Sequence, residues 1–167
     1  EKLYEQTVVK DIISMLHIKA CTVKADHAFL RFLMKNISPR EITHLTQSYS
    51  LDKSQLSLIE YTLQFDNKCK KVANQILHPI KSIKSDSVSN LVWDIIKSTG
   101  SYRNRGRNAS LNQKMIYQSL NQFRQIVKNY CQNYDVYSLQ TFINFIDIQS
   151  EVNEEPLEPL SQLSCLP

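Results

Sequence analysis

Glycine is nearly missing from this chain. Only Gly100 and Gly106 occur among 167 residues, against a usual share of about 7%. Sandwiches, barrels and doubly wound sheets need glycine at many tight turns, so the shortage points to helices. Basic residues are missing from one end. All 20 Lys and Arg lie at or before Lys128, together with 10 of the 16 acidic side chains, a net of +10. Beyond Lys128 there is no base and six acids (Asp135, Asp147, Glu151, Glu154, Glu155, Glu158), a net of −6. A basic body suits a polyanionic partner, and an acidic end suits solvent or a basic neighbour. An unevenly charged, solvated surface accounts for the same counts.

Several chemistries lack their residues. The four cysteines (Cys21, Cys69, Cys131, Cys165) are far apart, with no CxxC and no Cys/His cluster at zinc spacing. Reduced thiols in a cytoplasmic protein are the simplest account. No apolar run reaches about 18 residues, so no transmembrane helix is expected, and no signal peptide is visible. Neither GxxxxGK[ST] nor GxGxxG is present. His17, His27, His44 and His78 form no HExxH pair, and His17 and His27 read as packing or surface residues rather than ligands. The carboxylates are scattered, and the glycines of a strained nucleophile turn are missing. The expectation is a segment with no catalytic residue, no metal site and no cofactor of its own.

What is present is helical periodicity. Over 7–20, Val8, Val9, Ile12, Ile13, Leu16 and Ala20 recur at helical spacing. Asp26 is placed to cap a second helix with Phe29, Leu30, Leu33 and Met34 on its apolar face. Ser38-Pro39-Arg40-Glu41 combines a capping serine, a first-turn proline and a capping box, opening a short third helix with Ile42 and Leu45 inward. A longer helix is expected from Asp52 or Ser54, with a phase shift near Phe65–Asp66 that predicts a kink or a division into two. His78 precedes Pro79, which disfavours helix there. Residues 85–100, SDSVSNLVWDIIKSTG, form a helix with Val88, Leu91, Val92, Ile95 and Ile96 on one face, stopped by Gly100. Ser110 and Gln113 make another capping box. It opens a long helix with Leu111, Met115, Leu120, Phe123, Val127, Tyr130 and Tyr134 inward. Ser138 caps a last helix facing inward through Leu139, Phe142, Ile143 and Ile146. The pattern predicts an all-α, irregular bundle of about seven helices with no sheet, over residues 1–150. Residues 151–167, acidic and holding three of the five prolines, read as a tail or linker without periodicity. A chain starting at Glu1 and stopping at Leu166-Pro167 is expected to be a piece of a longer protein.

Four stretches, in order, resemble the 2B subdomain, the insertion in the second RecA-like domain of UvrD/Rep/PcrA-type superfamily 1 DNA helicases. VVKDIISMLHI (8–18) is similar to the segment leading into the insertion. ADHAFLRFLMKNISPREITHL (25–45) matches the following helix–turn–helix at Asp26, Phe29, Leu30, Arg31, Leu33, Ile42 and Leu45. VSNLVWDIIKSTGSYR (88–103) resembles a helix ending in T-G-Y. YSLQTFINFID (137–147) resembles the S-L-x-x-F-L segment that closes the insertion. Order and spacing carry the likeness over about 150 residues. The resemblance implies an accessory domain without catalysis of its own, in a parent enzyme that uses ATP and Mg. It implies contact with duplex and single-strand junction DNA without sequence readout, and docking on the motor domains of the same chain, with regulatory proteins as further partners. The family's R-G-I-G hairpin lies against duplex phosphates, whereas here the turn is KNISPRE without glycine.

Candidate DNA contacts follow from charge and helix starts. At the turn they are Lys35, Asn36, Ser38 and Arg40, where free N–H groups and the helix dipole favour an anion and Glu41 opposes one. In residues 98–108, STGSYRNRGRN, they are Arg103, Arg105 and Arg107, three cations in five residues without an acid. A solvated inter-helix loop accounts for that triplet as well. The reading from another class is a helical protein–protein interaction module unrelated to DNA, served by the acidic end and the Gln/Asn-rich stretch 112–133.

Overall fold

In the computed structural model the described residues are 2–100, 109–134 and 138–154. They hold a 3-10 turn at Leu3–Glu5 and eight α-helices, with no strand among the described residues. The helices are α1 Thr7–Ala20, α2 Ala25–Leu33, α3 Pro39–Leu51, α4 Leu58–Phe65, α5 Asn67–Lys81, α6 Val88–Ser98, α7 Leu111–Asn133 and α8 Leu139–Glu154. The all-α expectation holds. The eighth helix comes from a full break at Asp66, whose backbone is extended and whose carboxylate caps α5 through the Cys69 N–H (2.6 Å).

The predicted helix starts at Ser38 and Ser110 are both capping boxes, closed by Glu41 and Gln113. Ser138 Oγ accepts the Thr141 N–H at the start of α8 (3.5 Å). Gly100, at φ 71°, takes the left-handed turn that stops α6.

Other expectations need correcting. The helix placed from Asp52 or Ser54 begins instead at Leu58, because Ser57 and Glu60 form a capping box there. α3 runs to Leu51, longer than its apolar positions suggested. α5 continues two residues past Pro79. A proline so near a helix end forfeits one backbone bond without breaking the turns that matter. α2 is entered from Lys24 with no side-chain cap. Asp26 instead accepts the N–H groups of Leu58 (3.1 Å) and Ile59 (3.3 Å), capping α4 from a neighbouring helix. Met34 lies outside the α2 core face and is exposed, and Phe32 and Ala28 are buried instead. On α7 the middle of the stripe is buried (Leu120, Phe123, Val127, Tyr130), while Leu111, Met115 and Tyr134 at its ends are exposed. The last helix continues to Glu154, four residues into the segment read as tail. Residues 155–167 lie outside the described residues.

Two hydrophobic cores share α1. In the first, Val9, Ile12 and Leu16 meet α6 (Leu91, Val92, Ile95, Ile96), α7 (Leu120, Phe123, Val127) and α8 (Phe142, Ile143, Ile146). In the second, Ile18 joins α2 (Ala28, Phe29, Phe32, Leu33), Leu45 of α3, Leu58 of α4 and Cys69, Ala73, Leu77 and Ile80 of α5. Met15 packs against both. Each large side chain so buried contributes roughly 1.5–3 kcal/mol.

Candidate nucleic-acid interface

The turn between α2 and α3 is built from local capping. Asn36 folds back and its side-chain amide donates to Phe32 O (2.8 Å), closing the end of α2. Ser38 Oγ accepts the Glu41 N–H (3.3 Å), and Glu41 Oε2 accepts the Ser38 N–H (3.1 Å). Two of the N–H groups that would meet a phosphate are therefore already engaged, that of Ser38 by the Glu41 carboxylate and that of Glu41 by the Ser38 hydroxyl. Lys68, at the start of α5, pairs with the other oxygen of Glu41 (2.6 Å). That pair, then the bond from the Ser38 backbone, holds the Glu41 carboxyl below the usual range, and the same pair raises Lys68.

Of the four turn candidates, Asn36 and Ser38 have structural duties. Lys35 pairs with Asp11 Oδ1 (2.8 Å), which also accepts from Arg31 Nε (2.9 Å). Exposed pairs of this kind are worth about 0.2–1 kcal/mol, so Lys35 can exchange Asp11 for a phosphate. Arg40 is exposed and makes no ion pair among the described residues. Arg103, Arg105 and Arg107 lie outside the described residues. The fold adds a neighbour that the sequence did not disclose. The Lys68–Glu41 pair sets the basic start of α5 (Lys68, Lys70, Lys71, all exposed) beside the start of α3. The local run of lysines was a signal, but its placement depends on how α5 packs.

The histidines behave as packing and surface groups. His27 is exposed. His17 is buried at the end of α1, with Nδ1 at 2.6 Å from Thr22 Oγ1 and Nε2 at 3.1 Å from Asp147 Oδ1. Lys24 pairs with the other oxygen of Asp147 (3.2 Å). The Thr–His–Asp order has the form of a nucleophile relay. Here Thr22 Oγ1 also accepts the Lys24 N–H (3.2 Å) in the turn after α1, and the network ties α1 to α8. No group of three or more His, Cys, Asp or Glu able to hold a metal occurs among the described residues, and no helix among them is long and apolar enough to cross a membrane.

No known protein family, curated protein or solved structure matches the chain.

Proposed function

We propose that the chain is a 2B-like accessory domain of an ATP-dependent DNA helicase of the UvrD/Rep/PcrA type, contacting DNA phosphates or partner proteins and modulating unwinding without catalysis of its own. The observation that carries the reading is the order of the four resembling segments. They fall in turn on α1, on α2 through α3, on α6 with its Gly100 stop, and on α8. The basic body supports a polyanionic partner. ATP and Mg belong to the parent's motor domains on this reading. The turn meets DNA through Lys35 and Arg40, while Asn36 and Ser38 hold its shape.

The test is duplex binding by fluorescence anisotropy on a junction DNA, between 20 and 200 mM salt. Affinity is expected to fall steeply with salt. Arg40→Ser, and Arg103, Arg105 and Arg107→Ser together, each lower the affinity and flatten the salt slope by roughly one per lost phosphate contact. Absence of any DNA affinity at low salt defeats the reading and favours the protein-interaction module.

A further inference from the structure

A hollow of about 280 Å³ opens where α1, α2 and α8 meet, beside the turn Leu3–Glu5. Lys10 and Ser14 of α1, His27 and Arg31 of α2, Ser150 of α8 and Tyr4 of the turn line it, around Ile13 and Ala28. No acidic side chain lines it among the described residues. Lys10 and Ser14 are four residues apart on one helix, and His27 and Arg31 four apart on the next, so each pair shares a face. Lys10, Ser14, His27 and Ser150 make no side-chain hydrogen bond or ion pair among the described residues. Asp11 accepts the Arg31 Nε–H (2.9 Å) and a bond from Lys35 (2.8 Å), so Arg31 keeps the N–H groups of its two terminal nitrogens. Tyr4 is 4% exposed, and its hydroxyl is buried with no hydrogen-bond partner. Burial raises its pKa, which keeps it a donor. A buried hydroxyl without a bond is uncommon and calls for a partner from outside the chain. It is closed to solvent, and a ligand oxygen reaches it when the three-residue turn, which has no side-chain cap, gives way. An adjoining hollow of about 310 Å³ shares His27 and Arg31 and runs over Leu30 and exposed Met34.

We propose that this site binds a small organic phosphate, its phosphoryl group on Lys10, Arg31, Ser14 and Ser150 and its apolar body over Leu30 and Met34. A phosphomonoester brings a charge of about −1.5 to −2 at pH 7 and three strong acceptor oxygens, which two cations and two hydroxyls match. A carboxylate brings one charge and two oxygens and leaves donors unmet. At about 30 Å³ per water the first hollow has room for about nine waters. The ligand is therefore larger than the inorganic ion and far smaller than a nucleic acid. The proposal goes beyond the DNA reading and stands without it. α1 and α8 pack in the first core and α2 in the second. A ligand held by all three braces the joint between the cores, which is the position of an effector rather than of a substrate.

The full chain is unfolded by heat, without DNA, in phenyl phosphate, inorganic phosphate, benzoate or sulfate at one ionic strength. Far-UV circular dichroism and the emission of Trp93, the chain's single tryptophan, follow the transition. Phenyl phosphate is expected to raise Tm saturably, by about 3 °C or more at about ten times its Kd, with inorganic phosphate weaker. Lys10→Gln, an exposed position, is expected to weaken phenyl phosphate about 10-fold. Ser14→Ala is the second variant should the first fail to fold, with about a 3-fold loss. Tyr4→Phe is expected to keep its midpoint in plain buffer, having no bond in the chain to lose, and to weaken the ligand about 3-fold. Arg40→Ser is expected to bind it unchanged. No saturable shift, an equal shift in sulfate, or unchanged affinity in both Lys10→Gln and Tyr4→Phe overturns the site. Benzoate binding as tightly as phenyl phosphate overturns the phosphate assignment. None of these results touches the duplex reading, whose own test is affinity for DNA.

Discussion

Asp26 caps a helix it does not belong to, and this is where single residues carry the most information. Its two bonds satisfy the first N–H groups of α4, which no residue of α4 could reach from inside. Asp26→Ala is expected to lower stability by about 1–2 kcal/mol, read as a lower urea midpoint with an unchanged slope. Cys69 makes a different prediction. Burial, then the bond to Asp66, pushes its thiol up to about 11, so thiolate is scarce at pH 8. An aromatic disulfide reagent should therefore modify exposed Cys21 in the folded chain and reach Cys69 only on unfolding. Rapid modification of Cys69 in native buffer would contradict its placement.

At the scale of elements, helix starts decide the architecture. Ser38 closes α3, and Ser38→Ala is expected to cost about 1 kcal/mol. Its partner Glu41 gives the same start a pH dependence. The folded chain holds Glu41 below its ordinary value of 4.5. Its contribution is therefore complete above that value and fades as pH falls through the lower folded one. Asp94 follows the same direction, lowered first by Ser85 and then by Lys97. Glu41→Gln should flatten the acid limb of stability against pH, measured by urea unfolding between pH 3 and pH 7; an unchanged limb would remove Glu41 from the acid response. The local starts and stops at Ser38, Gly100 and Ser110 were legible because each bond spans three or four residues. The start at Leu58 rests on an equally local signal, the Ser57–Glu60 capping box, and was missed because the nearby Asp52 and Ser54 offered competing starts. Asp66 was half legible, as a phase shift without a direction.

Over the whole molecule, α1 makes two cores into one folding unit. Leu16 points into one core and Ile18, two residues on, into the other. Leu16→Ala is expected to destabilise by about 2–5 kcal/mol and to shift both lobes together. Trp93 emission reports on the first lobe and Cys69 reactivity on the second, and the two should change at the same urea concentration. Separate transitions would show two independent units. The expected contact sites divided in a comparable way. Charge counts pointed to a basic body, yet Asn36 and Ser38 proved to be occupied by capping, and Lys68 entered beside them only through packing.

The order of helices, most of their inward faces and the caps within them follow from periodicity and from bonds that close within four residues, which a linear chain displays directly. The tie of His17 to Asp147, 130 residues away, the cap that Asp26 lends to α4, and the seating of Arg124 on Trp93 were decided by tertiary packing alone. Such pairs depend on the distance and angle between helix axes, set by how side chains from several helices interlock in the two cores, and no local pattern contains that information.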